Sequence, residues 1–386
     1  MTNKKIDTLT SLRFFAAYAV VVGHSIELFG LSKTALRHIP AYNGVTFFFV
    51  LSGFILTYNY RRLPTREAIW RFASARFARL WPLHVATFLL TILVLPEVRA
   101  TLLTSLGLLE AAANLLFLQA FVPILAFQFS YNDVSWSISA EFYFYACFVG
   151  LITLTDRPFS RLFWVALAGP IIMIALSIMI KLPTYIPDPF VVSLATTIYI
   201  HPVTRLADFG CGMIAAGFFL RPNVQGLNFA PRLATVLEIV MVALIVATAG
   251  LTYGLYAKIW PSAPPAVLLW LERSGASPLY ALAIFVLAFE RGYISRWLRH
   301  PALVLFGEIS FATYLVHHIV LRWLMANPWS YADLPLSLAF LLYLAANIPA
   351  SWLLWRFIET PARTGLYRRL TMRVGRPVEI APSGTF

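Results

Sequence analysis

The sequence predicts an all-α, polytopic integral membrane protein with about ten transmembrane helices, and three observations carry that prediction. Of 386 residues, 60% are hydrophobic and only 12% charged, a composition more apolar than soluble domains have. Apolar runs recur along the whole chain, each near the ~20 residues that cross a ~30 Å hydrocarbon core. The basic residues behind the formal net charge of +13 sit mainly in the segments that join those runs. That distribution excludes a nucleic-acid partner, which needs Lys and Arg clustered on one soluble face. Residues 1–360 are therefore expected to form a single membrane domain embedded in the lipid bilayer. A short basic cytoplasmic tail is expected at 361–386.

The first apolar run, residues 12–29, follows Lys4 and Lys5 and contains Arg13 and His24. No small-residue cleavage site follows it, so it is expected to stay in the mature protein. Arg13 and His24 are eleven positions apart. On an α-helix that brings them within about 20° of one face, ~16.5 Å apart along the axis. One helix thus presents a permanent cation near the membrane boundary and a proton-exchanging imidazole near its middle. The plainer alternatives are a histidine bonded to a neighbouring backbone and an arginine that snorkels to the interface.

The second run, 43–60, reads NGVTFFFVLSGFILTYNY, where the small residues Gly44, Ser52 and Gly53 let another helix come close. The segment after it carries Arg61, Arg62, Arg66, Arg71, Arg76 and Arg79. With Lys4 and Lys5, it marks the cytoplasmic side by the positive-inside rule. Arg76 and Arg79 stand at i, i+3 where the run 80–96 begins, with Arg71 within two turns. Guanidinium forks suit phosphate oxygens, although topology alone accounts for a positive loop.

The run 102–122 carries Glu110, Asn114 and Gln119 and is either a span or a re-entrant segment. In 137–154, Glu141 lies among Phe142, Tyr143, Phe144 and Tyr145. An unpaired carboxylate is costly there, so His24, Arg13, Arg76 or Arg79 is expected as its partner, with Trp136, Ser137 and Ser139 lining the approach. The plain alternative is a structural interhelix ion pair. Runs at 162–180, 204–220 and 233–250 follow. Arg205 and Asp208 are at i, i+3, either an intrahelical pair or part of the same cavity.

The run 277–290 has a rise of only ~21 Å. Counting it gives eleven spans and places Arg363, Arg368, Arg369, Arg373 and Arg376 outside; ten spans keep both termini cytoplasmic, which the positive-inside rule favours. The runs 302–323 and 335–357 complete the set, and His317 and His318 near the end of the former read as interfacial. Cys147 and Cys211 lie in apolar runs, which supports neither a disulfide framework nor a metal site. No histidine pair has a metal-ligand spacing such as HExxH.

Taken in order, these pieces resemble the membrane-bound acyltransferase-3 family: LRFFAAYAVVVGH with Arg13 and His24, FFFVLSGF, RFARLWP with Arg76 and Arg79, SWSISAEFYFY, RLADFGCG, GEISFATYLVHH and IETP. The resemblance implies about ten spans in the inner membrane and transfer of an acyl group to a hydroxyl reached from the other side. The donor it implies is cytoplasmic acyl-CoA, acetyl-CoA by family habit, with no metal. The acceptor it implies is a carbohydrate such as exopolysaccharide, O-antigen or lipid-linked oligosaccharide. Arg13, Arg76 and Arg79 are then expected to hold the donor phosphates, and Trp136 and Ser137 to contact substrate. His24 is expected to act as a neutral general base, with Glu141 orienting its ring; in a variant, His24 carries the acyl group covalently. The rival class is a proton-coupled transporter or flippase, against which the lack of visible internal repeats counts.

Overall fold

The protein is described by a computed structural model covering residues 4–31, 43–155, 157–249 and 253–372. The first three helices are α1 (Asp7–Ser25), α2 (Gly44–Asn59) and α3 (Arg66–Val94), followed by the short α4 (Pro96–Thr101), α5 (Ser105–Leu115) and α6 (Leu125–Gln128). Next come α7 (Trp136–Leu151), α8 (Phe159–Met179), α9 (Pro202–Phe219), α10 (Pro222–Gln225), α11 (Pro231–Thr248) and α12 (Tyr253–Ile259). The chain closes with α13 (Pro265–Ser274), α14 (Ser277–Leu287), α15 (Tyr293–Leu298), α16 (Pro301–Ala326), α17 (Leu336–Leu354) and α18 (Thr360–Thr371). Among the described residues there is no strand.

Among the described residues, six helical segments are long and apolar enough to cross a membrane by length and composition: α3, α7 with its flanking turns, α8, α11, α16, and α17 continued through α18. The expected ten is not reached on that measure, for physical reasons. Helix α2 has only 16 residues, and the polar groups of α1 and α9 dilute their hydropathy. The run 102–122 is not one helix: α5 has 11 residues, and Phe117 just after it takes φ 60. The run 277–290 is likewise cut to 11 residues in α14 before Glu290 turns at φ 54.

The polar helices are the inner ones. Helix α1 packs along α16, and α2 packs along α9, whereas α8 and α11 leave most of their apolar side chains exposed. Small residues set the close approaches, as the sequence predicts. A Cβ at Gly53 would overlap the Phe209 carbonyl oxygen, and one at Gly212 the Val50 carbonyl oxygen, so α2 and α9 touch backbone to backbone. Gly44 faces the Ala16 carbonyl in the same manner and Gly307 that of Thr10, which seats α1 between α2 and α16. Gly212→Val is therefore expected to destabilise the fold by about 3 kcal/mol through overpacking, read as a lower thermal midpoint in detergent.

A buried ionic cluster crosses this inner layer. Arg205 Nη2 lies 3.0 Å from Asp208 Oδ2, both fully buried, so the intrahelical alternative holds for this pair. Arg205 also donates to Thr46 Oγ1 at 2.6 Å on α2 and to the Arg273 carbonyl and Ser274 Oγ at 3.0 Å on α13. Asp208 accepts from Ser277 Oγ at 2.6 Å on α14. Four helices are thus pinned around one charge pair.

Beyond residue 360 the chain folds back onto the bundle. Helix α18 packs along α3, burying Tyr367 and Thr371, and Trp70 Nε1 donates to the Leu370 carbonyl at 2.9 Å. Arg373 and Arg376 lie outside the described residues.

Candidate active site

An open cleft with about 1090 Å³ of empty space runs between α1, α2, α3, α7 and α16. Its cationic end is built from Lys5, Arg13 on α1, and Arg76 and Arg79 on α3. Ser137, Glu141 and Tyr145 repeat every four residues on α7, so one stripe of that helix faces the space. Phe311 and Tyr314, at i, i+3 on α16, supply the facing wall. Arg13, Arg76, Arg79, Glu141 and Ser137, far apart in sequence, therefore share one cavity.

The cations differ in how they are satisfied. Arg79 is buried, forms an ion pair with the buried Glu359 just before α18, and lies with its guanidinium 4.8 Å from the centre of the Phe311 ring. Arg76 is buried, with its Nη2 3.5 Å from Tyr60 Oη and its guanidinium over the Tyr60 and Tyr145 rings. Lys5 pairs with Glu308 at 2.8 Å. Arg13 stands in the field of Glu141 and Glu308 but makes no hydrogen bond or ion pair among the described residues. Arg363 of α18 lies in the field of Arg13, Arg76 and Glu308 without lining the cleft itself. Arg71 pairs with Glu67 at 2.5 Å and does not line the cleft.

Ser137 and Tyr314 also line the cleft, with their hydroxyls 2.8 Å apart. The Tyr314 ring centre is 5.9 Å from that of His317. His317, fully buried, places Nε2 3.0 Å from His24 Nδ1, the two rings lying nearly parallel. Its Nδ1 is 3.2 Å from the Thr313 carbonyl oxygen. His24 keeps an exposed edge and contacts His318 edge-on, with ring centres 5.2 Å apart. His318 Nδ1 in turn lies 3.7 Å from Asp133 Oδ2, and Asp133 Oδ1 accepts from Arg322 at 2.8 Å.

Three expectations need correction on this geometry. Glu141 does not orient the His24 ring: it accepts from Tyr145 Oη at 2.6 Å and Ser52 Oγ at 3.1 Å, and His317 holds His24 instead. Trp136 is buried edge-on against Phe49 and Tyr199, away from the cleft lining, while Ser137 does line it. His317 and His318 are not interfacial bystanders but the ring contacts of His24. A signal for this lay in the sequence, because His317 follows Tyr314 at i+3 on the same helix. Glu359 lay within the IETP motif, yet nothing in the linear pattern tied it to Arg79.

Comparison with known proteins shows the family. Residues 6–356 match the profile of an acyltransferase domain. The chain is 31% identical over 413 aligned positions to the acyltransferase MdmB of Streptomyces mycarofaciens, covering 98% of this chain and 95% of that relative. No solved structure is a significant match. The helical bundle and these matches make the protein a membrane-embedded acyltransferase. It belongs to the acyltransferase-3 family, so the transporter alternative falls away.

Proposed function

We propose that the protein moves an acyl group, acetyl in the first instance, from cytoplasmic acyl-CoA to a hydroxyl of a carbohydrate acceptor presented across the inner membrane. One observation carries this reading: Arg13 faces the cleft with no hydrogen-bonding partner among the described residues. A guanidinium left so in a protein interior is matched by an anionic ligand. Acyl-CoA supplies phosphates for Arg13, Arg76 and Arg79, and its thin arm can run along the cleft to Tyr314, whose ring neighbours His317.

The donor enters at the cationic end, which the positive-inside rule puts in the cytoplasm. Its thioester comes to rest by Ser137 and Tyr314, one aromatic ring short of His317. Transfer then requires the Tyr314 ring to turn aside so that the carbonyl meets the acceptor hydroxyl beside His24. His24 takes the hydroxyl proton as the oxygen attacks the carbonyl carbon, and returns it to the departing thiolate. Glu141 keeps a place in the cleft as the carboxylate that balances Arg13. Direct transfer is the simpler route; acyl-enzyme trapped with donor alone would replace it by a covalent acyl-histidine.

The reading is tested by reconstituting the protein in lipid bilayers with isotope-labelled acetyl-CoA, alongside mass analysis of envelope and secreted glycans with and without the gene. Protein-dependent release of CoA and loss of an acetyl mass from a glycan are expected; an unchanged glycan profile overturns the acceptor class. Arg13→Ala is expected to raise the KM for acetyl-CoA about 10- to 100-fold, the worth of one charged hydrogen-bonding group. An unchanged KM would remove Arg13 from the donor site.

A further inference from the structure

We infer that His317 is a positioning residue that fixes His24 in the tautomer with its proton on Nδ1, leaving the Nε2 lone pair free. The argument is one of hydrogen-bond roles. A carbonyl oxygen only accepts, so the 3.2 Å contact between His317 Nδ1 and Thr313 requires the hydrogen on His317 Nδ1. A neutral imidazole carries one hydrogen, so His317 Nε2 is then bare and accepts. At 3.0 Å from it, His24 Nδ1 must be the donor. By the same count His24 Nε2 has no hydrogen and is the nitrogen able to take one.

The groups packed around His24 do not upset this assignment. His318 meets its ring edge-on from the same helix as His317, and the Asp133 carboxylate is directed at His318 and Arg322, which lie beyond it. No carboxylate hydrogen-bonds to either ring of the pair among the described residues. A second histidine, anchored to a backbone carbonyl, does the orienting work that a carboxylate does in hydrolase triads.

Catalytic use of that lone pair rests on the acyl-transfer reading, while the tautomer itself does not. In the transfer step the acceptor O–H proton moves to His24 Nε2, the oxygen bonds the thioester carbon, and the C–S bond breaks. The imidazolium then protonates the CoA thiolate, so protons and charge balance with no further reactant. The Nδ1–H to His317 bond persists throughout and holds the ring in line.

The test is solid-state 15N NMR of the full-length protein, histidine-labelled and reconstituted in bilayers at about pH 8, above the ordinary imidazole range. The His24 resonances are assigned as those lost in His24→Gln. Wild type is expected to show pyrrole-type Nδ1 and pyridine-type Nε2 at His24. His317→Leu is expected to shift His24 to the opposite tautomer, and His317→Gln, whose amide oxygen still accepts, to keep it. A protonated Nε2 in wild type, or no change in His317→Leu, overturns the inference. Should His317→Leu fail to fold, the wild-type spectrum alone still decides.

With acetyl-CoA as donor probe, His317→Leu is expected to lower kcat about 100-fold at unchanged KM, and His317→Gln to restore most of it. An equal loss in both variants would assign His317 a packing role only. If wild type consumes no acetyl-CoA, the donor reading falls, and the spectra still settle the tautomer.

Discussion

His24→Ala is expected to slow acyl transfer about 1000-fold, within the range that removal of a positioned general base produces. His24 sits at the end of α1 with an exposed edge, and no backbone hydrogen bond depends on its ring. The bundle should therefore fold, with a thermal midpoint close to wild type. Affinity for the proposed donor, acetyl-CoA, should also survive, because Arg13, Arg76 and Arg79 line the cleft without His24. The measurement is kcat and KM for reconstituted protein with labelled donor. Wild-type kcat in His24→Ala would end its assignment as base, and a loss confined to KM would make it a binding group.

The second large effect is on stability. Asp208→Ala leaves Arg205 buried and charged, and breaking such a pair from one side costs about 3–5 kcal/mol. That is a large share of the ~5–15 kcal/mol that holds a typical domain together. The double variant Arg205→Met with Asp208→Leu removes both charges, and is expected to recover part of the loss. Its hydroxyl and carbonyl neighbours on α2, α13 and α14 limit that recovery, since Thr46, Ser274 and Ser277 lose bonds. Thermal unfolding of both variants in detergent checks this; a double variant no more stable than Asp208→Ala would show that the charge itself is not the cost.

What was legible in the sequence was whatever repeats at helical spacing. Arg13 and His24 lie on one uninterrupted helix, Arg76 and Arg79 on another, and Gly44 and Gly53 mark the close helix contacts because each rests on local periodicity. The contact of His24 with His317 was not legible, since it joins residues 293 positions apart through the packing of α1 on α16. For Glu141 the apolar run calls for a partner among His24, Arg13, Arg76 and Arg79 without choosing one; it shares the cleft with the three arginines, and its hydrogen bonds go to Ser52 and to Tyr145 one turn away. The span count suffered from the same limit. Hydropathy measures apolar content along the chain, and it misses the turns at Phe117 and Glu290 that break two runs.

The ion pair between Arg79 and Glu359 joins positions 280 residues apart. A nascent chain halted anywhere before residue 359 holds the buried Arg79 guanidinium without its carboxylate. The part of the cleft that Arg79 lines is therefore charge-balanced only once residue 359 has joined the bundle. The order in which the ribosome delivers the two halves of one salt bridge thus sets when this part of the cleft is completed.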